Sequence, residues 1–415
     1  MDKSFHEGNR STLYDSLEDG TIVLTFAGSA PRLSADAYHP FFADRNFVYL
    51  TGLENQSQGF ILMAQKSGGT VSETAFILPP DERAERWAGA RLRREEVERL
   101  SGITLSQPLG DFDTAFHRAA NSGRFRYVAL DLNKLVSEEP DDCAHRFAKQ
   151  LAQQYPWMQV INYHRQLRRQ RTFKKPCEIE AMKEAMKITK AGILAMMKIA
   201  KPGVYEYEFK AAFDKVLTER QIFKSSFPPI ISAGENNFCI HYYGYTGQAK
   251  DGDMVLNDVG ACWDGMYNDV SRSWPVNGKF NERQRIMYEC AYKTSEYMFS
   301  IIKPGMPMAD VDLTIRKYCY ELLKEAELVD SYENVGKLMW HGGAHHVGYD
   351  VHDVVDASIP VSAGMVFCVD IGIYNLDWGI GFRLEDNCYV TESGCVNLSA
   401  DIPRSIEEIE AAMAK

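Results

Sequence analysis

The sequence predicts an α/β protein of two domains, the second of which is built from two similar halves. The chain has 415 residues, which is longer than a single hydrophobic core usually supports. Strand-like and helix-like segments alternate through roughly the first 160 residues, as in an α/β domain. Beyond that point, two sequence patterns each occur twice in the same order, which indicates an internal duplication.

The first domain is predicted to span residues 1–163. Its strand-like segments are short apolar runs bounded by Gly, Pro and polar residues, and they lie at residues 21–28, 46–52, 59–65, 74–80 and 127–132. Residues 93–100 and 141–154 carry apolar side chains at helical spacing. This mixture predicts an α/β domain.

The second domain is predicted to span residues 174–415. It begins after a basic stretch at residues 164–175, HRQLRRQRTFKK, which we interpret as a solvated domain junction. Residues 176–200 have helical apolar spacing, and Pro176 suits the first turn of that helix.

The first repeated pattern is a helix, a Lys-Pro-Gly break and a new helix. The breaks fall at residues 201–203 and 303–305. Because proline and glycine both disfavour continuation of a helix, each break predicts two helices joined by a turn.

The second repeated pattern is an apolar strand that contains an aspartate, followed by a turn and a returning strand. Asp258 and Asp370 hold the matching places in the two copies. The returning strands are predicted to carry Asp269 in the first copy and Glu385 in the second.

Hairpin geometry places each of these carboxylates beside its partner. A turn centred between residues 263 and 264 makes Asp258 and Asp269 direct neighbours, whereas a turn at residues 264 and 265 makes them diagonal neighbours on the same face. Asp370 and Glu385 are direct neighbours if the turn is centred between residues 377 and 378. If the halves face each other, four carboxylates converge.

Four anions in one pocket repel, and two divalent cations neutralise their charge. Oxygen-rich ligation completed by one histidine suits manganese, with cobalt or zinc as alternatives, better than a thiolate-type zinc site. The sequence therefore predicts two divalent metal ions, with Mn²⁺ as the first choice.

Histidines are concentrated between the two carboxylate pairs. Residues 341–353, HGGAHHVGYDVHD, contain His341, His345, His346 and His352 among the ten histidines of the chain. A lone histidine is usually structural, but four in one glycine-rich segment indicate a site. His241 lies in a separate segment whose Pro and Gly residues predict a loop beside a pocket.

Composition excludes several other classes of protein. The net charge of −11 argues against a nucleic-acid partner. The polar N-terminal residues do not predict a signal peptide, and no apolar run of about 18 residues predicts a membrane span. Nine cysteines without a CxxC motif predict buried free thiols in a reducing compartment. We therefore expect a cytoplasmic protein.

At these residues the chain resembles the metallopeptidase family of methionine aminopeptidase, prolidase and aminopeptidase P, which has the pita-bread fold. The family order of ligands is an aspartate, a second aspartate eleven residues later, a histidine, a glutamate and a final glutamate. In this chain the order falls on Asp258, Asp269, His345, Asp370 and Glu385.

The N-terminal residues help to choose a branch of this family. Residues 41–62 and 77–92 resemble the amino-terminal domain of aminopeptidase P, of the type also found in creatinase, which methionine aminopeptidases lack. The resemblance therefore implies an N-terminal α/β domain followed by a C-terminal pita-bread (α+β) domain with halves related by a pseudo-twofold axis.

The resemblance also implies a role for each metal ligand. Asp269 and Glu385 would bridge both ions, Asp258 would complete one ion, and His345 with Asp370 would complete the other. The family usually has Glu-Pro-Gly where this chain has Asp370-Ile371-Gly372. The side chain is one methylene shorter, so either the backbone shifts or the ion beside His345 is held loosely.

Further residues match the substrate site of the family. His241 and His352 resemble its substrate-binding and proton-handling histidines, and both are assigned as catalytic together with Asp370. His341 and Arg383 resemble further substrate contacts.

The implied reaction is removal of an N-terminal residue that is followed by proline. A hydroxide bridging the metals would attack the Xaa-Pro bond while Asp370 accepts its proton. The implied partners are peptides with proline second and further copies of the chain in a dimer or tetramer. The alternatives are an Xaa-Pro dipeptidase (prolidase), a non-catalytic binding module on the same fold and a metal-free creatinase-like hydrolase.

Overall fold

The computed structural model describes residues 1–54 and 56–414. The chain divides into two compact units, Met1–Gln170 and Arg171–Lys415. The predicted domain bounds, 1–163 and 174–415, remain a prediction. Within the part of the chain that the structure describes, no helix combines the length and apolar character needed to cross a membrane.

The helices are α1 (Lys3–Asp15), α2 (Arg45–Thr51), α3 (Glu82–Ala88), α4 (Arg94–Ser101), α5 (Phe112–Ala120), α6 (Cys143–Gln154), α7 (His164–Thr172), α8 (Pro176–Ile199), α9 (Glu206–Thr218), α10 (Glu282–Ile301), α11 (Met308–Glu325) and α12 (Ile406–Met413). Short 3₁₀ helices occupy Leu109–Asp111, Gly234–Phe238 and Tyr332–Lys337.

The strands are β1 (Thr21–Phe26), β2 (Arg32–Ser34), β3 (Ala37–Tyr38), β4 (Ile61–Ser67), β5 (Thr70–Ile77), β6 (Ser106–Pro108), β7 (Tyr127–Leu130), β8 (Gln159–Asn162), β9 (Ile230–Ala233), β10 (Met254–Val259), β11 (Cys262–Trp263), β12 (Met266–Tyr267), β13 (Val270–Pro275), β14 (Val366–Asn375), β15 (Ile380–Val390) and β16 (Cys395–Asn397).

The first unit is built on a mixed six-stranded sheet with the order β6-β5-β4-β1-β7-β8. β1 lies antiparallel to β4 and parallel to β7. A cluster of buried side chains, which includes Leu24, Phe76 and Phe116, joins the sheet to the helices. The predicted α/β architecture of this region is confirmed, since four of its five predicted strands are present.

The predicted strand at residues 46–52 is wrong, because these residues belong to α2. The side chain of Asp44 accepts a hydrogen bond from the amide of Phe47 and caps the helix, and Gly52 ends it at φ +70°. All seven residues of α2 are buried. A short element buried on all sides has no periodicity that separates a helix from a strand.

The second unit contains the two predicted halves. One half has the sheet β13-β10-β9 and the helices α8 and α9, and the other has the sheet β14-β15-β16 and the helices α10 and α11. Both Lys-Pro-Gly breaks separate consecutive helices as predicted, with φ of +93° at Gly203 and +94° at Gly305. Pro176 begins α8, which is also as predicted.

The two hairpins differ in register. Asp370 lies directly opposite Glu385, as predicted. In the first hairpin Asp258 lies opposite Ser271, so Asp269 takes the diagonal position of the second predicted alternative. The turn at Asp264 and Gly265 has φ of +50° and +82°, and a glycine suits the second of these positions.

The prediction that the returning strand contains Asp269 is wrong by one residue, because β13 begins at Val270. The amide of Ala261 donates to the side-chain oxygens of Thr189 and Asn268 instead of continuing the ladder. These side-chain bonds end the regular pairing just before it reaches Asp269.

Side-chain hydrogen bonds join the two halves between β13 and β15. The hydroxyl of Ser273 donates to the carbonyl of Arg383 and accepts from the Arg383 amide. Asn387 makes the equivalent pair of bonds with the backbone of Asp269. These contacts bring the two hairpins together, and with them their carboxylates.

Candidate active site

The four predicted carboxylates are all buried in the second unit. Asp258, Asp269, Asp370 and Glu385 each have less than a tenth of their surface exposed. They come from β10, from the residue before β13, from β14 and from β15. The duplicated hairpins therefore concentrate negative charge at one place, as the sequence predicted.

This concentration of charge shifts the pKa of the carboxyl groups. Burial, with the charges of Glu385 and Asp258, raises the pKa of Asp269 well above its usual value. Burial and Glu385 likewise raise the pKa of Asp370. Burial alone would raise the pKa of Glu385 too, but the neighbouring His345 lowers it below its usual value.

Each of the four carboxylates has one buried oxygen without a hydrogen-bond donor among the described residues. These atoms are Oδ1 of Asp258, Oδ1 of Asp269, Oδ1 of Asp370 and Oε1 of Glu385. A buried, unpaired carboxylate oxygen is costly. Their number and convergence fit a site for divalent cations, which prefer carboxylate and imidazole ligands.

Four donor atoms, from Asp269, His345, Cys368 and Glu385, lie within 4.8 Å of one another. Nε2 of His345 is 3.3 Å from Oε1 of Glu385 and 3.6 Å from Oδ2 of Asp269. This set contains three of the five predicted ligands, together with a cysteine that was not predicted.

The other two predicted ligands are engaged by cationic or polar side chains beside this set. Oδ2 of Asp258 accepts a hydrogen bond from Nη2 of Arg383 at 2.9 Å. Oδ2 of Asp370 lies 3.2 Å from Nδ1 of His341. The structure therefore places the predicted ligands together but gives Asp258 and Asp370 protein partners.

The predicted histidines differ in their surroundings. The ring centroids of His345 and His352 are 4.4 Å apart, and burial lowers the pKa of His352. His346 is buried, and burial lowers its pKa to about 4. His241 is exposed on its loop.

The close approach of His341 to β14 requires a glycine at residue 372. A Cβ atom at Gly372 would lie 2.2 Å from Nε2 of His341. The same Nε2 lies 3.1 Å from the hydroxyl of Tyr374, and burial lowers the pKa of His341. The glycine therefore allows His341 to lie against the strand that carries Asp370.

Arg383 connects several parts of the site. Besides Asp258, it donates to the hydroxyl of Tyr374 at 3.2 Å and to the carbonyl of Ile240 at 3.1 Å. Ile240 precedes His241, so the arginine holds the loop on which that histidine lies. The guanidinium is buried, which strengthens each of these hydrogen bonds.

Several residues of the site were not found from the sequence. Tyr374 lies on the same face of β14 as Asp370, and the two-residue period of that strand is the signal that could have revealed it. Cys368 lies on this face as well. The aromatic ring of Trp340 stacks on Tyr374 with centroids 4.6 Å apart.

The interpretation of the basic stretch as solvated is wrong for several of its residues, including two basic side chains. Arg171 and Lys174 are buried, and both donate hydrogen bonds to the buried carboxylate of Asp353. Asp353 follows His352, and its amide donates to the carbonyl of His346. Arg171 and Lys174 of the basic stretch thus hold the segment that carries the histidines.

Residues 180–392 match the model of metallopeptidase family M24, and residues 6–127 match the aminopeptidase P N-terminal domain. The chain is 27% identical to the Xaa-Pro aminopeptidase of Escherichia coli K12, over 97% of this chain and 96% of that protein. It is also 27% identical to human Xaa-Pro aminopeptidase 3, over 94% of this chain and 80% of that one.

Solved structures agree with this result. A Bacillus anthracis structure assigned as an aminopeptidase P has 36% identity and a TM-score of 0.96, covering 100% of this chain and 98% of that one. Zinc-substituted E. coli aminopeptidase P in complex with product has 25% identity and a TM-score of 0.89, with the same coverage.

These matches confirm the predicted family and the predicted fold class. They extend over both units of the chain, and the family match covers both carboxylate pairs and the histidine segment between them. The chain belongs to metallopeptidase family M24.

Proposed function

We propose that this chain is a dinuclear, metal-dependent Xaa-Pro aminopeptidase that hydrolyses the bond between an N-terminal residue and a following proline. Relatives named Xaa-Pro aminopeptidase align with nearly its whole length. The N-terminal region matches the aminopeptidase P N-terminal domain, so the support is not limited to the metallopeptidase domain.

The clustering of four buried carboxylates, two of which lie beside His345, is the observation that carries this proposal. Without cations, the unpaired oxygens and mutual repulsion would destabilise the fold, and the raised pKa values of Asp269 and Asp370 express that cost. Buried carboxylates with strongly shifted pKa values are typical of functional sites.

Asp258, Asp269, His345, Asp370 and Glu385 would hold the two ions. Asp269 and Glu385, which lie beside His345, would be ligands of this set. When bound, the ions would supply Lewis-acid chemistry towards the scissile carbonyl and the attacking water. Manganese is the first ion to test, followed by cobalt and zinc.

The side chains of this protein then position the substrate and move protons. Asp370 accepts the proton of the attacking water, and His241 and His352 bind the substrate and stabilise charge that develops on its carbonyl oxygen. The carboxylate cluster attracts the free amino group of the peptide. His341 and Arg383 border the same space and contact the substrate around the proline.

Hydrolysis of a tripeptide Xaa-Pro-Xaa by the purified protein tests the proposal. We expect release of the first residue, loss of activity on chelation and recovery when Mn²⁺ is added back. The matched control peptide has alanine in place of proline and should be cleaved poorly. Metal analysis should find up to two ions per chain.

The substrate length separates the two closest activities. An enzyme that cleaves the dipeptide Xaa-Pro but not the tripeptide would be a prolidase. If the protein binds no divalent ion, or if chelation leaves hydrolysis unchanged, the proposed mechanism is wrong.

A further inference from the structure

We infer that Cys368 is a metal ligand and that, with Asp269, His345 and Glu385, it forms a site for a cation that prefers sulfur and nitrogen donors. The inference rests on the proposed function, because it concerns one ion of that site. It adds a thiolate to a ligand set that the sequence predicts to contain only oxygen and nitrogen atoms.

Backbone pairing places Cys368 directly opposite His345. The amide of Cys368 donates to the carbonyl of His345 at 2.7 Å. Bonds from Val347 to Val366 and from Asp370 to Gly343 continue the same antiparallel register. Opposed residues of an antiparallel pair project to the same face, so the sulfur and the imidazole lie side by side.

The donor atoms are close enough to share one ion. The four lie within 4.8 Å of one another, and tetrahedral zinc ligands at about 2.0–2.3 Å from the metal lie about 3.6 Å apart. Side-chain movements on the order of 1 Å would therefore close the site around a single cation.

Two buried oxygens of this set point to a missing partner. Oδ1 of Asp269 and Oε1 of Glu385 have no hydrogen-bond donor among the described residues, and both side chains are more than nine-tenths buried. The sulfur of Cys368 is itself fully buried and accepts a hydrogen bond from Asn387 at 3.3 Å. Asn387 thus holds the sulfur beside the carboxylates.

Cys368 would add a donor to the ligand set and would not replace Asp370. Asp370 does not belong to the group of donor atoms within 4.8 Å, and its Oδ2 lies 3.2 Å from His341. A thiolate ligand beside these carboxylates shifts the metal preference of the site from manganese towards zinc and cobalt. When the cation binds, the thiol loses its proton to solvent and the sulfur forms the metal bond.

Cobalt binding to the metal-depleted protein tests this inference, because cobalt reports its ligands by absorption. We expect visible bands as the site fills and a near-ultraviolet sulfur-to-cobalt charge-transfer band. The variant Cys368→Ser should lose the charge-transfer band. It should also bind cobalt at least about tenfold more weakly, since changing residues that merely support metal ligands already costs about that much affinity. The matched control is Cys388→Ser, a buried cysteine on β15, which should keep both.

X-ray absorption at the zinc edge of the wild-type protein gives a second test that needs no variant. One sulfur at about 2.3 Å from zinc, beside lighter ligands at about 2.0–2.2 Å, is expected. A shell of nitrogen and oxygen alone, or a charge-transfer band retained in Cys368→Ser, would overturn the inference. Binding of cobalt and zinc without sulfur would overturn only this inference. If neither ion binds at all, the proposed function fails as well, so the two failures are distinguishable.

Discussion

Asp258 and Arg383 form a buried ion pair in which Nη2 of the guanidinium donates to Oδ2 of the carboxylate at 2.9 Å. The other oxygen, Oδ1, has no hydrogen-bond donor among the described residues. One oxygen is therefore oriented by the arginine while the other is left to a cation. In the proposed site, the pair would therefore position Asp258 as a ligand without replacing the metal.

The variant Arg383→Lys should lower kcat/KM for Xaa-Pro peptides about 10–100-fold. Lysine keeps the positive charge but lacks the planar group that reaches Asp258, Tyr374 and the loop before His241 together. Steady-state kinetics checks this. Arg285→Lys is the control, because Arg285 forms a partly exposed ion pair with Glu410, and it should change little.

The variant Asp269→Asn should uncouple stability from metal binding. Asparagine removes a charge that burial and neighbouring carboxylates disfavour, so the metal-free variant should unfold at or above the wild-type temperature. Cation at 100 times Kd should stabilise the wild type by about 2.7 kcal/mol, and the variant should lose most of this gain.

Thermal unfolding with and without Mn²⁺ checks the Asp269→Asn prediction. Asp214→Asn, which changes an exposed ion pair with Lys210, should keep the full metal response. An equal response in Asp269→Asn would show that Asp269 does not bind the cation.

The variant Asp370→Glu should strengthen binding of the second ion by roughly tenfold, a change of the size that ligand-shell mutations produce. The longer side chain extends towards His345 and Glu385, which lies directly opposite Asp370. Calorimetric titration with Mn²⁺ measures the change. A large loss of affinity would mean instead that the pocket is built around aspartate.

The variant Asp353→Asn should destabilise the second unit by about 3–5 kcal/mol, because it leaves Arg171 and Lys174 buried without their carboxylate. The side chain of Asp353 is 1% exposed, whereas that of Asp350, which also pairs with Arg171, is 34% exposed. Asp350→Asn should therefore cost less than about 1 kcal/mol. Denaturant unfolding of both variants checks the difference.

The first unit should lose stability as the pH falls from 6.5 towards 4. Burial lowers the pKa of His6 from 6.5 to about 4, and the residue is 3% exposed. The unfolded chain therefore binds a proton that the folded unit excludes. Between pH 7.5 and 4.5, this effect should lower the free energy of unfolding by about 2–3 kcal/mol.

The His6→Asn variant isolates this contribution, since it removes the titrating ring while an amide can still donate to the carbonyl of Tyr49, the partner of Nδ1. Amide exchange of β1 across this pH range should show a smaller loss of protection in the variant. Equal losses in both proteins would exclude His6 as the cause.

The sequence alone determined the family, the duplicated halves and the carboxylate pairs. Hairpin register depends on positions along the chain, so the direct opposition of Asp370 and Glu385 followed from the turn between them. Residues 46–52 show the limit, because buried apolar residues with strand-like composition formed a helix once Asp44 and Gly52 capped it.

Only the tertiary structure decided which side chains meet across segments distant in sequence. Nothing in the spacing of residues indicated that Cys368 would lie opposite His345, that Arg383 would bind Asp258, or that Arg171 would be buried against Asp353. The physical reason is that periodicity reports which face a side chain occupies, whereas packing of the two hairpins and the histidine segment sets which faces come into contact.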